Sequence, residues 1–143
     1  MTENTQSDGR VICVIPARYA STRYPGKPLA MLRGVDGTAM SLIERSWRAA
    51  MEVPRFDEVH VATDDNRIAD AAHAFGADVV MTSDTCGNGT ERCADALSQF
   101  GPDVEMIVNL QGDAPLTPPW FLEALIDGLR ADTQAAVATP ILR

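Results

Sequence analysis

No part of this sequence is apolar for long enough to cross a membrane: the longest uninterrupted apolar run, residues 11–15, is far short of the roughly 20 residues a spanning helix requires. The first ten residues are polar and lack the basic start, apolar middle and small-residue cleavage site of an export signal, so residues 1–10 are expected to form a flexible leader. Cysteine is scarce: Cys13, Cys86 and Cys93 make neither an even disulfide set nor a closely spaced metal-ligand pair, which points to the reducing cytoplasm. Cys13 falls in an apolar strand pattern, and neither Cys86 nor Cys93 has a histidine or basic cluster beside it, so thiol catalysis is not expected. Basic charge is also short. Twelve Lys and Arg against twenty Asp and Glu leave a net charge of −8, which disfavours nucleic acid as a partner because that binding needs a basic face to neutralise phosphates. The two histidines, His60 and His73, fall within strand and helix patterns and read as structural or exposed. Internal repeats, low-complexity linkers, the Walker pattern and the dinucleotide GxGxxG are all missing.

What remains is a soluble globular chain of 143 residues, 45% hydrophobic, sized for one domain with a real core. Residues 11–16, VICVIP, read as a strand buried on both faces. A long loop follows, and then a helix over residues 41–51, with Ser41 and Glu44 at capping-box spacing. Strands are predicted over 58–62, 78–81, 106–110 and 136–139. Helices are predicted over 66–75, stopped by Gly76, over 88–100 behind Asn88 and Glu91, and from Thr117 as cap and Pro118 as first residue to Arg130. Alternating strands and helices imply an α/β fold with a doubly wound, mainly parallel sheet. Ligands of such sheets bind beyond the carboxyl ends of the strands, so the loops there are the candidates for chemistry.

Four of these loops are unusual. Residues 16–29, PARYASTRYPGKPL, bring two guanidiniums, one ammonium, hydroxyls and a Pro-Gly turn together after the first strand, as binding of a triphosphate requires. Residues 61–65, VATDD, place Thr63 and Asp64 either as a helix cap or beside a ligand. Residues 88–92, NGTER, put Gly89 at a helix start, where amide donors and the positive dipole end favour an anion; a simple cap accounts equally well for Asn88 and Glu91. Residues 109–115, NLQGDAP, offer a carboxylate, Asp113, suited to Mg2+, and an amide, Gln111, that can both donate and accept.

These four segments, in this order, resemble the 3-deoxy-manno-octulosonate (Kdo) cytidylyltransferases, the CMP-Kdo synthetases, which open with PAR-x-x-STR-x-PGKPL and carry ATDD or ATDH, SGTER and VQGDEP. The likeness spans nearly the whole chain from Val11 onward. It implies a Rossmann-like nucleotidyltransferase fold of the nucleotide-diphospho-sugar transferase type, with its carboxyl-terminal part absent, so that residues 11–143 form the CTP-binding portion. It also implies transfer of CMP from CTP to a 2-keto sugar acid, Kdo, in lipopolysaccharide biosynthesis, with Mg2+ as cofactor and the full-length family member a homodimer. By this resemblance Arg18, Lys27 and Asp113 are catalytic, and Asp113 is the metal ligand. Ala17, Arg18, Ser21, Arg23, Lys27, Thr63, Asp64, Gly89, Thr90, Arg92 and Gln111 bind the nucleotide. Two departures stand out: Ala114 replaces the family's glutamate, and residues 31–40, MLRGVDGTAM, exceed the usual turn and read as a loop variation. The competing readings are a relative acting on sialic-type acids, a spore-coat-polysaccharide type protein, and a nucleotide-binding module without catalysis.

Overall fold

The structure, a computed structural model, describes residues 9–141; the expected leader therefore lies outside the described residues up to residue 8, and Arg10 already belongs to the first strand. That strand, β1 (Arg10–Pro16), runs into a loop closed by a single 3-10 turn at Lys27–Leu29. Residues read as an irregular loop then form an antiparallel hairpin, β2 (Met31–Arg33) and β3 (Ala39–Ser41). Its turn is closed by Gly34 N–H to Thr38 O at 2.9 Å and Gly37 N–H to Gly34 O at 3.0 Å. Arg45 pins the hairpin to the next helix, donating to the carbonyls of Leu32 at 2.8 Å and Thr38 at 2.9 Å. That helix, α1 (Leu42–Met51), starts where Ser41 Oγ accepts from Glu44 N, as its spacing predicts.

There follow β4 (Glu58–Thr63), α2 (Asn66–Ala74), β5 (Asp78–Met81), α3 (Gly89–Leu97), β6 (Val104–Asn109) and α4 (Pro119–Ala131). The main sheet has the order β5-β4-β1-β6, with every pairing parallel. Successive side chains of β1 point to opposite faces and seed two cores. Val11, Cys13 and Ile15 pack with Ile43 of α1, Ile68 of α2 and Ile126 of α4, whereas Ile12 and Val14 pack with Cys93 and Ala96 of α3. Ile12 and Ile15 are fully buried, each contributing about 1.5–3 kcal/mol of apolar burial. Helices on both faces make the sheet doubly wound. The chain steps from β1 out to β4 and β5, then returns to place β6 on the other side of β1, so the strand order reverses between β1 and β6. A crevice beyond the carboxyl ends of those two strands is the geometric consequence.

Several boundaries differ from the sequence reading. Asp65, rather than Thr63 or Asp64, caps α2, because its carboxylate accepts from Arg67 N at 2.8 Å and Ile68 N at 3.3 Å. Helix α3 ends at Leu97 and reaches Phe100 only through turns. Helix α4 begins one residue late: Pro118 is its cap, Pro119 its first residue, and the Thr117 hydroxyl turns back to the carbonyl of Ala114 at 3.0 Å. The strand predicted over residues 136–139 does not form; these residues are exposed and pair with no neighbouring strand, and β propensity without a pairing edge leaves backbone groups to solvent.

Candidate functional site

Beyond β1 the chain stays tied to the sheet for one residue, Ala17 N–H donating to Ala62 O at 2.9 Å. It then loops outward and returns at Gly26, whose N–H reaches Tyr19 O at 2.8 Å. This return delivers Lys27 to the crevice, where its Nζ lies 2.9 Å from Asp113 Oδ2. The two side chains are 50% and 54% exposed, so the contact leaves both accessible to a ligand.

Asp113 arrives from the turn after β6, which is packed against the end of β1. At Gly112 a Cβ would stand 3.2 Å from Pro16 O and 3.4 Å from Ile43 Cδ1, a tight fit in which a side chain would press on the end of β1. The fully buried Ser46 of α1 fixes the same turn, its Oγ donating to Gly112 O at 2.7 Å. The start of α3 closes in from the other side. A Cβ at Gly89 would lie 3.0 Å from Gln111 Nε2 and 3.1 Å from Pro16 Cγ. Asn88 Oδ1 caps α3 through Glu91 N at 2.9 Å, and the Glu91 carboxylate returns to Gly87 N.

Two adjoining cavities result. One, of about 250 Å3, is lined by Ala17, Arg18, Ser21, Lys27, Gln111, Gly112 and Asp113 among others. The second, of about 230 Å3, is lined by Cys86, Gly87, Asn88, Gly89 and Arg92, and shares Pro16, Ala17, Arg18 and Gln111 with the first. Arg18 is exposed at the shared wall. Asp113 is the one acidic side chain on either lining, so the first cavity pairs two cations with a single carboxylate. Among the described residues, no group of three or more His, Cys, Asp or Glu gathers as a metal cluster. A wider cleft of about 730 Å3 lies between the hairpin and residues 115–119, but its lining is largely apolar and holds none of the catalytic or nucleotide-binding residues expected from the sequence. Chemistry, not volume, points to the paired cavities.

In the second cavity the guanidinium of Arg92 is a buried charge, only 4% exposed as a residue. Its Nη1 lies 3.2 Å from Asp64 Oδ1 and donates to Thr82 Oγ1 at 2.7 Å, the partners a buried cation needs. Asp64 therefore orients Arg92. Thr63 is fully buried, with its Oγ1 accepting from Asp65 N at 3.2 Å, so it supports the turn and lines neither cavity. Arg23 and Thr90 are exposed and also lie off both linings. Of the eleven nucleotide residues expected from the sequence, the structure thus brings Ala17, Arg18, Ser21, Lys27, Gly89, Arg92 and Gln111 to the cavities. Ser46 was missed; its signal was a small polar residue on the buried stripe otherwise made of Leu42, Ile43 and Ala50. Cys86, which lines the second cavity, carried none. Burial pushes the Cys93 thiol up to about 11 and the Cys13 thiol well above its usual range, so neither supplies a thiolate near neutrality.

A doubly wound sheet with a cationic crevice at its switch point is the architecture of a nucleotide-binding α/β protein. More particularly, the chain belongs to the cytidylyltransferase family, whose model matches residues 12–142. It is 52% identical over 132 residues to the 3-deoxy-manno-octulosonate cytidylyltransferase of Maricaulis maris, covering 92% of this chain and 49% of that protein. Identity to the mitochondrial enzyme of the same name from Arabidopsis thaliana is 42%, over 92% of this chain and 44% of the relative. The solved structure of a CMP:2-keto-3-deoxy-manno-octonic acid synthetase complexed with CTP superposes with a TM-score of 0.78 at 37% identity, covering 86% of this chain and 48% of that one. The chain spans about half the length of the curated relatives it matches.

Proposed function

We propose that this chain is the CTP-binding portion, residues 11–143, of a cytidylyltransferase that joins CTP to Kdo, giving CMP-Kdo and pyrophosphate for lipopolysaccharide biosynthesis. The observation that carries the reading is the junction of the two cavities at Pro16, Ala17, Arg18 and Gln111. One side offers cations for a triphosphate and the other a buried guanidinium and an amide suited to a base. Cytosine sits against Arg92, Gln111 and the start of α3, and the phosphates run past Arg18 and Ser21 to Lys27.

In the reaction the anomeric hydroxyl of the sugar acid attacks the α-phosphorus of CTP in line. A new P–O bond forms, the bond to pyrophosphate breaks, and the hydroxyl proton leaves to solvent. Little covalent work falls to the protein, so positioning and charge neutralisation dominate. Arg18 and Lys27 offset charge on the triphosphate and the leaving pyrophosphate. The donor set also fits magnesium, which takes one or two protein carboxylates and completes its shell with water and phosphate oxygens. Asp113 would hold it, giving up its contact with Lys27. Bound there, the metal would supply Lewis-acid neutralisation of phosphate oxygens. Two buried thiols and a third without a partner cysteine support operation in the reducing cytoplasm.

Isothermal titration with CTP and Mg2+, paired with a pyrophosphate-release assay containing Kdo, tests the proposal. CTP binding is expected of this portion, and turnover of the complete enzyme; failure to bind CTP would sink the proposal. Binding without turnover in the complete protein supports the second reading, a nucleotide-binding module, which Ala114 favours because the resemblance expects glutamate there.

A further inference from the structure

The loop that carries Lys27 is held within itself at few points: Lys27 N–H reaches Tyr24 O at 3.2 Å, and a 3-10 turn follows at Lys27–Leu29. Residues 22–25 are exposed, and within the loop Ser21 Oγ accepts a long hydrogen bond from Tyr24 N at 3.4 Å. Tyr19 ties the start of the loop to its return. Its carbonyl accepts from Gly26 N, and its ring packs so closely on Gly26 that an added Cβ there would come within 2.9 Å of Tyr19 Cε2. Gly26 has φ of +71° and directly precedes Lys27, so the position of the Tyr19 ring sets where Lys27 leaves the turn.

The Tyr19 ring is in turn held from α2. The guanidinium carbon of Arg67 lies 3.3 Å from the ring centroid, well inside the roughly 6 Å reach of a cation–π contact. Arg67 is itself aimed by Asp65, to which it donates from Nε at 3.1 Å and Nη2 at 2.7 Å, while the same carboxylate caps the helix. A continuous chain of contacts thus runs from the helix start through Arg67, Tyr19 and Gly26 to Lys27 and Asp113. Neither Arg67 nor Asp65 lines either cavity.

We propose that Arg67 is a positioning residue which, by stacking on Tyr19, keeps the phosphate loop closed and Lys27 aimed at the terminal phosphates of a nucleoside triphosphate. The inference rests on the CTP reading above. A cation–π contact at an exposed site corresponds to about a two- to fivefold change in affinity. Arg67→Ala therefore weakens CTP with Mg2+ by that factor in isothermal titration, and weakens CMP by less, because Lys27 serves the outer phosphates. Arg67→Lys, which keeps a cation over the ring, recovers the affinity to within about twofold. In a Tyr19→Leu background, Arg67→Ala has no further effect, since the partner is already gone. If Arg67→Ala leaves CTP affinity unchanged, weakens CTP and CMP equally, or adds its full loss to that of Tyr19→Leu, the role is refuted while the CTP reading survives. Absence of CTP binding to the unaltered chain overturns both.

Discussion

Replacing Lys27 with alanine separates a binding role from a structural one. Its contact with Asp113 joins two half-exposed side chains, and surface pairs of that kind contribute about 0–1 kcal/mol to stability. The melting temperature is therefore expected to move by less than about 5 °C. Toward a triphosphate the arithmetic differs. A unit charge about 4 Å from a phosphate oxygen interacts by about 1 kcal/mol in water and about 4 kcal/mol near a protein surface; half exposure puts Lys27 at about 1–2 kcal/mol. That is about a 5- to 30-fold loss of CTP affinity. CMP lacks the outer phosphates, so its loss stays below about threefold. Isothermal titration of both nucleotides at low and high salt measures this, and the CTP loss should shrink as salt screens the charge. Equal losses for CTP and CMP, or a large fall in melting temperature with no change in binding, would refute the assignment.

Asp113→Asn should remove the magnesium dependence of CTP binding; an unchanged response to the metal would take away that ligand. Ser46→Ala leaves the Gly112 carbonyl without its donor and should cost about 1–3 kcal/mol in urea unfolding, with weaker CTP binding alongside; a loss below about 0.5 kcal/mol would mean the turn does not depend on it. At the opposite end of the sheet Arg10 bonds to Asp103 and to Glu58, and Glu58 also meets His60 Nε2 at 2.7 Å. The Arg10 guanidinium holds the Asp103 carboxyl below its usual range, and His60 first, then Arg10, does the same to Glu58. Depressed carboxylates stabilise the fold above their unfolded pKa, about 4, and lose that contribution as pH falls through the lower folded value. Asp103→Asn should therefore lower the melting temperature at about pH 7 and leave it unchanged near about pH 2; a pH-independent effect would contradict the linkage.

The sheet was legible because β1 is buried on both faces and so reads as a β-branched run, and because Ser41, Asn88 and Gly76 sit at helix ends where their chemistry is specific. The boundaries that shifted did so where two neighbours could serve equally. Thr63, Asp64 and Asp65 can each cap a helix, and only the approach of the backbone selects Asp65. Pro118 and Pro119 can each open one. The hairpin at 31–41 was hidden because its two strands are three residues each and mostly exposed, leaving little burial pattern to read. At the site, the loops were identifiable from composition, and the switch-point rule assembles them. The pairing of Lys27 with Asp113, 86 residues apart, the Asp64–Arg92 contact and the Arg67–Tyr19 stack depend on side-chain directions that no local pattern encodes.

On the proposed function, the loop after β1, the turn after β6 and the start of α3 hold one nucleotide between them. The measurement that meets this reading most directly is a titration of isotopically labelled protein with CTP and Mg2+, following the backbone amides of Gly26, Gly89 and Gly112 by NMR. All three signals should move along one binding curve with a common Kd. Movement at one of them alone, or three curves with different midpoints, would contradict it.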